Sequence, residues 1–200
     1  MPPFRLYLIT DRRLTPDLAR AVEHALSTIP PGAAAIQLRE KDLTTREILI
    51  LFHRLAPICR RYETKLLIND RIDIALSAGA DGVHLSGSSV SATDARSLLP
   101  KETLIGISCH EKEELVLRSP DADFAVVGPI DETPGKLRPG MGSEGFSKIC
   151  TESPLPLFAL GGVSEKNAPC LMKAGAYGVA AIRAWLATKE GTERLFRSIS

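Results

Sequence analysis

The chain has 200 residues, 44% apolar and 24% charged, with 25 Lys and Arg against 24 Asp and Glu. That composition describes an ordinary globular protein with no excess charge to draw it to nucleic acid or to a membrane surface, so an anion site has to be built locally and its ligand is expected to be small. Cys59, Cys109, Cys150 and Cys170 are scattered with no Cys-x-x-Cys pair, which argues against a zinc site and a disulfide framework.

No apolar run approaches the roughly 18 residues of a membrane span. Met1 to Ile9 also lacks the hydrophobic core of a signal peptide. The expectation is one domain over residues 1–200, in the reducing cytoplasm, with no membrane and no nucleic-acid partner.

Short β-rich runs alternate with longer helix-like stretches, at 5–10, 35–39, 65–68, 82–85, 104–108, 124–127, 157–160 and 178–182. The runs are almost continuously apolar, as parallel strands buried on both faces should be. The stretches between them carry apolar residues at helical spacing, as in Ile48, Leu51, Phe52, Leu55 and Ile58.

A weak internal echo supports this βα series. Pro31-Gly-Ala-Ala-Ala-Ile, Ala78-Gly-Ala-Asp-Gly-Val, Pro120-Asp-Ala-Asp-Phe-Ala and Ala174-Gly-Ala-Tyr-Gly-Val each read as helix end, tight turn and buried strand. They mark alternate strands and predict an eight-stranded (β/α)8 TIM barrel with short loops. An open doubly wound sheet is the alternative. No strand is followed by a Gly-x-Gly-x-x-Gly turn, however, and polar residues gather at many strand ends rather than at one switch point, which favours the barrel.

In such a barrel, polar residues where strands run into the following loops carry the most weight. Gln37, Arg39 and Lys41 alternate, so if the second strand runs on through them they share a face ending in two cations suited to a phosphate or pyrophosphate. Surface pairing of Arg39 and Lys41 with Glu40 and Asp42 is the other reading. Asn69 and Asp70 follow the third strand, where they orient a ligand, hold a metal through oxygen, or cap the next helix.

Ser108 and His110 follow the fifth strand, and a histidine there can exchange protons at neutral pH or simply start a helix with its Glu neighbour. His84, in mid-strand, reads as a barrel-layer residue, and Cys109 as packing. Thr133 and Lys136 sit in the long segment 130–143, the only stretch long enough for a lid over an anion. Gly161 and Gly162 after the seventh strand, with Ile182 and Arg183 after the eighth, match the usual phosphate cradle of these barrels.

Taken in order, the chain resembles the thiamin phosphate synthase and TenI superfamily. The resemblance rests on Leu6-Tyr-Leu-Ile-Thr-Asp, Gln37-Leu-Arg-Glu-Lys-Asp, Leu67-Ile-Asn-Asp-Arg, Gly79-Ala-Asp-Gly-Val-His-Leu, Gly106-Ile-Ser-Cys-His, Gly128-Pro-Ile through Lys136 and Ala159-Leu-Gly-Gly-Val. In the synthases such motifs join hydroxymethylpyrimidine diphosphate to thiazole phosphate. The resemblance then assigns Arg39, Lys41 and Lys136 to pyrophosphate, Asn69 to pyrimidine or pyrophosphate, and Asp70 to Mg2+.

Three departures stand out. Ser86-Gly-Ser-Ser replaces the synthase Gly-Gln-Glu-Asp, whose carboxylate helps to bind the metal, Gly135 replaces a loop hydroxyl, and Arg183 replaces a phosphate-binding serine. The serine-rich loop resembles TenI-type thiazole tautomerases, which need no metal.

The expectation is therefore a metal-independent tautomerase that aromatises thiazole carboxylate phosphate. His110 would move the proton, Ser108 would hold the carboxylate or orient the ring, and Gly161, Gly162, Ile182 and Arg183 would take the phosphate. The Mg2+-dependent synthase is the alternative, and a non-catalytic regulatory barrel that binds phosphate esters is a third reading. The resemblance also implies a homodimer.

Overall fold

The computed structural model describes residues 1–132 and 139–200. Eight parallel strands close into a barrel in sequence order: β1 Leu6–Ile9, β2 Ala34–Leu38, β3 Lys65–Asn69, β4 Gly82–Leu85, β5 Leu104–Cys109, β6 Phe124–Val127, β7 Leu157–Ala159 and β8 Gly178–Ala181. β8 returns to β1 with Val179 beside Leu6, so no sheet edge remains open. Each strand lies within one residue, at either end, of its expected span. The architecture is a (β/α)8 TIM barrel.

Each strand is followed by helix on the outside of the barrel: α1 Leu18–Ser27, α2 Thr45–Arg61, α3 Ile72–Ala78, α4 Ala92–Leu98, α5 Lys112–Arg118, α6 Gly142–Thr151, α7 Ala168–Lys173, α8 Arg183–Leu186 and α9 Gly191–Ile199. The boundaries are chemical. Thr44 and Glu47 form a reciprocal capping box at the start of α2, while Asp17 and Ser91 accept N–H bonds at the starts of α1 and α4. Along α2, Ile48, Phe52 and Leu55 are buried against the barrel, and Leu51 and Ile58 are half-buried, following the helical period.

The four echoed turns share one backbone feature. Gly32, Gly79, Asp121 and Gly175, each at the same place in its echo, adopt positive φ of 76°, 65°, 64° and 100°. That conformation turns the chain from helix into strand and suits Gly, or an Asp able to tolerate it.

Strand alternation divides the core. Leu6 and Leu8 face the helices, whereas Tyr7 and Ile9 face the barrel interior. Inside, the Phe4, Tyr7, Phe124 and Phe158 rings pack in stacked, tilted and edge-to-face pairs, with centroids 5.3 to 6.1 Å apart. This aromatic plug closes the N-terminal half of the barrel and leaves room for a pocket at the C-terminal mouth. Gly106 accommodates it, because a Cβ there would lie 2.4 Å from Phe124 Cζ and 2.8 Å from His84 Nδ1.

Candidate active site

β2 does not run on through Arg39 and Lys41 as the alternation suggested. It ends at Leu38, and Arg39 N–H donates to the buried Thr10 hydroxyl at 2.9 Å, so both cations reach the mouth from the loop after the strand. Their acidic neighbours are engaged elsewhere. Glu40 is buried with both carboxylate oxygens 3.1 Å from Arg12 N, Asp42 pairs with the Arg12 guanidinium at 2.6 Å, and Asp11 takes two bonds from the Arg13 guanidinium and one from its backbone N–H. The Arg13 bonds hold the Asp11 carboxyl below the usual carboxylate range. Among the described residues, no ion pair holds Arg39 or Lys41.

The pocket floor is polar. Gln37, 1% exposed, lies above Tyr7, whose hydroxyl approaches it, yet neither Tyr7 Oη nor Gln37 Nε2 completes a hydrogen bond of regular geometry. Burial pushes the Tyr7 phenol well above its ordinary value, so it stays neutral. On the next strand, Asn69 donates its side-chain N–H to Asp70 Oδ2 at 2.8 Å, which leaves its carbonyl oxygen as the acceptor it can offer a ligand.

Asp70 has φ of 59°, and its side chain serves the loop after β4. Oδ1 accepts Ser86 N–H at 2.8 Å and the Ser89 hydroxyl. Burial alone would raise this carboxyl, but the bonds from Ser89, Ser86 and Asn69 prevail and hold it below its ordinary value. The same loop is held from its carbonyl side by Arg118, which donates to Ser86 O at 2.6 Å and Leu85 O at 3.4 Å, and whose partner Glu114 accepts His110 N–H at 2.8 Å.

Asp70 therefore neither caps α3, whose N-cap position is Arg71 and has no side-chain cap, nor lines the pocket. No group of three or more His, Cys, Asp or Glu able to hold a metal occurs among the described residues. With both Asp70 oxygens already bonded, these residues do not fit a ready Mg2+ site.

The histidines differ. His84, 2% exposed, places Nε2 2.9 Å from Ser108 Oγ and leaves Nδ1 without a partner. Burial pushes its pKa down to about 3; the Asp70 charge partly opposes this, while Arg118 and Arg39 add to it, so the ring is neutral. His110 Nδ1 bonds to Gly128 O. A carbonyl only accepts, so in the neutral ring Nδ1 carries the proton and Nε2 is the acceptor. Burial raises the Cys109 thiol to about 12, in keeping with a packing role.

Across the mouth, Gly161 and Gly162 adopt φ of 93° and 71°. A Cβ on Gly161 would lie 2.8 Å from Pro129 Cα and one on Gly162 2.6 Å from Asp131 Cβ, so this turn packs closely against the segment after β6. Asn167 fastens it, donating to Gly162 O at 3.0 Å and Asp131 Oδ2 at 2.8 Å. After β8, Ile182 precedes α8, whose buried Trp185 donates to Ile9 O at 3.0 Å and fixes the short helix beside β1.

These elements enclose a cavity of about 440 Å3 at the strand C-termini. Gln37, Arg39, Lys41, Asn69, Ser108, His110, Gly161, Gly162, Ile182 and Arg183 all line it. Thr133 and Lys136 lie outside the described residues. Sequence reasoning missed His84, Ser86, Asp11 and Glu132 as wall residues. For His84 the signal was available, since it sits two residues after Gly82, at an inward position of a strand that ends at the mouth.

The fold and cavity define a TIM-barrel protein with a polar, cation-bearing pocket at the functional end of the barrel. The sequence profile of the family described as thiamine monophosphate synthase (TMP-TENI) matches residues 6–185. A Geobacter sulfurreducens relative is 44% identical over 196 residues, covering 96% of this chain and 91% of its own. The thiamine-phosphate synthase of Syntrophomonas wolfei is 37% identical over 201 residues, covering 98% and 96%.

Among solved structures, thiamine phosphate pyrophosphorylase from Pyrococcus furiosus superposes with a TM-score of 0.88 at 32% identity, covering 99% of this chain and 96% of that one. The chain belongs to the thiamine monophosphate synthase (TMP-TENI) family, and with it to the enzymes of thiamin biosynthesis. No described helix is long and apolar enough to cross a membrane.

Proposed function

We propose that this protein is a thiamine-phosphate synthase, a transferase that joins hydroxymethylpyrimidine diphosphate to thiazole phosphate. The observation that carries the reading is the composition of the β2–β3 arc. Among the described residues, the buried Gln37 amide N–H makes no hydrogen bond of regular geometry and Asn69 offers an acceptor, beside Arg39 and Lys41, which no ion pair holds. An aminopyrimidine presents a ring-nitrogen acceptor beside an amino donor, and its diphosphate requires cations close by.

A second anion cradle, at Gly161, Gly162, Ile182 and Arg183, follows β7 and β8, and in the closed barrel β7 lies opposite β3. Two separate anion-binding arcs suit two phosphorylated substrates. The names of the full-length relatives favour the same branch.

In the reaction, the thiazole nitrogen lone pair forms a bond to the exocyclic methylene of the pyrimidine. The methylene–oxygen bond breaks, and its electron pair leaves with pyrophosphate. Arg39 and Lys41 stabilise the charge that accumulates on the departing group. Ser108, held by the neutral His84, orients the ring.

The tautomerase remains a second reading because two observations favour it. The bond from His110 Nδ1 to Gly128 O prepares Nε2 to take a proton, and Ser89 stands where a carboxylate would be needed for metal. Incubation with the pyrimidine diphosphate and thiazole phosphate tests the choice, with the non-aromatic thiazole carboxylate phosphate in a parallel reaction. Thiamin phosphate formation supports the synthase. Isomerisation of the non-aromatic substrate without condensation refutes it.

A further inference from the structure

Among the described residues, the acids around Arg39 and Lys41 in sequence, and Asp70 on the next strand, have partners inside the protein. Arg13 holds Asp11, Arg12 N–H holds Glu40, and the Arg12 guanidinium holds Asp42. Asp70 takes three donors, from Asn69, Ser86 and Ser89, and does not line the cavity. The loop that carries Ser89 is fixed on its other side by the largely buried Arg118 through the Ser86 and Leu85 carbonyls. Moving Asp70 toward the cavity would strip donors from this loop while its carbonyls stayed fixed. The two cations, by contrast, face the cavity, and although Asp11 and Glu132 also line it, no ion pair holds Arg39 or Lys41 among the described residues.

A diphosphate carries several negative charges, and they can be balanced either by a divalent ion held on carboxylate oxygen or by side-chain cations. We propose that this protein binds diphosphate through Arg39 and Lys41 without a divalent ion, the Asp70–Ser89 hydrogen bond closing the position a metal-binding carboxylate pair would occupy. This inference rests on the synthase reading for the identity of the anion, and it sets this chain apart from a site organised around Mg2+.

The test is calorimetric titration of the purified, metal-stripped protein with inorganic pyrophosphate, in EDTA and again in excess Mg2+. The wild-type affinity is expected to differ by less than about threefold between the two conditions. Arg39→Ala is expected to weaken binding by about tenfold or more in both. Ser89→Asp, which places a second carboxylate beside Asp70, is expected to weaken binding in EDTA and to recover it with Mg2+.

The proposal is overturned by wild-type affinity that falls threefold or more in EDTA and returns with Mg2+, by undetectable wild-type binding in both conditions, or by an Arg39→Ala variant that binds as wild type. A Ser89→Asp variant indifferent to Mg2+ also counts against it, because the hydrogen bond would then not be what closes the position. Metal-independent pyrophosphate binding without condensation would sink the synthase reading alone. Condensation accompanied by Mg2+-dependent pyrophosphate binding would sink this inference alone.

Discussion

His84 Nε2 on β4 lies 2.9 Å from Ser108 Oγ on β5, joining a fully interior ring to a hydroxyl on the pocket wall. The ring is buried among Tyr7 and Phe124 and has its pKa depressed to about 3, so it orients Ser108 as a neutral group over the whole working range.

This has a consequence for acid stability. The unfolded chain would protonate His84 near pH 6.5 and the folded protein only near 3, so the folded state is favoured above 6.5 and loses that advantage as pH falls toward 3. The full window is worth on the order of a few kcal/mol. His84→Gln removes this contribution, so its urea midpoint should fall less than that of wild type between pH 7 and pH 4.5. Parallel losses in the two proteins would show that His84 is not held neutral.

Arg12 pairs with Asp42, the acid next to Lys41, although it does not line the pocket. Arg12→Ala should free Asp42 to approach Lys41 and raise KM for the pyrimidine diphosphate by roughly two- to threefold, the modest effect expected of exposed charges. KM for the thiazole phosphate and kcat should stay unchanged. The shift should shrink at high salt, which screens exposed charges.

Gly162→Ala tests the cradle. The new methyl would meet Asp131 Cβ at 2.6 Å in a left-handed backbone conformation. A stability loss of about 1–3 kcal/mol is expected by thermal or urea denaturation. KM for the thiazole phosphate should rise by about tenfold if the turn must open to relieve the contact.

Much of the fold was legible because its signals are local. The echoed turns announce themselves through Gly32, Gly79 and Gly175, and even Asp121, which replaces glycine in the third echo, adopts the same positive φ. Strand ends followed from continuous apolar runs, as at 82–85 and 124–127. Ten of the wall residues were legible by position, since each lies at or just after the C-terminal end of a strand, at the same end of the barrel.

What escaped depends on contacts distant in sequence. Whether Arg39 and Lys41 are free is decided by Arg12, on another loop, taking Glu40 and Asp42. The direction of Asp70 is decided by its positive φ and by the two serines 16 and 19 residues further on. His84 looked like core because it is core, and only the position of Ser108 on the neighbouring strand gives it a second role.

The central claim is that two separate arcs of one pocket take two different phosphorylated substrates, and steady-state kinetics of Arg39→Ala and Arg183→Ala with each substrate varied in turn tests it most directly. The account predicts that Arg39→Ala raises KM for the pyrimidine diphosphate alone and Arg183→Ala raises KM for the thiazole phosphate alone, each by about tenfold or more. Both substitutions acting on the same substrate, or a wild-type protein that saturates with only one of the two, would contradict it.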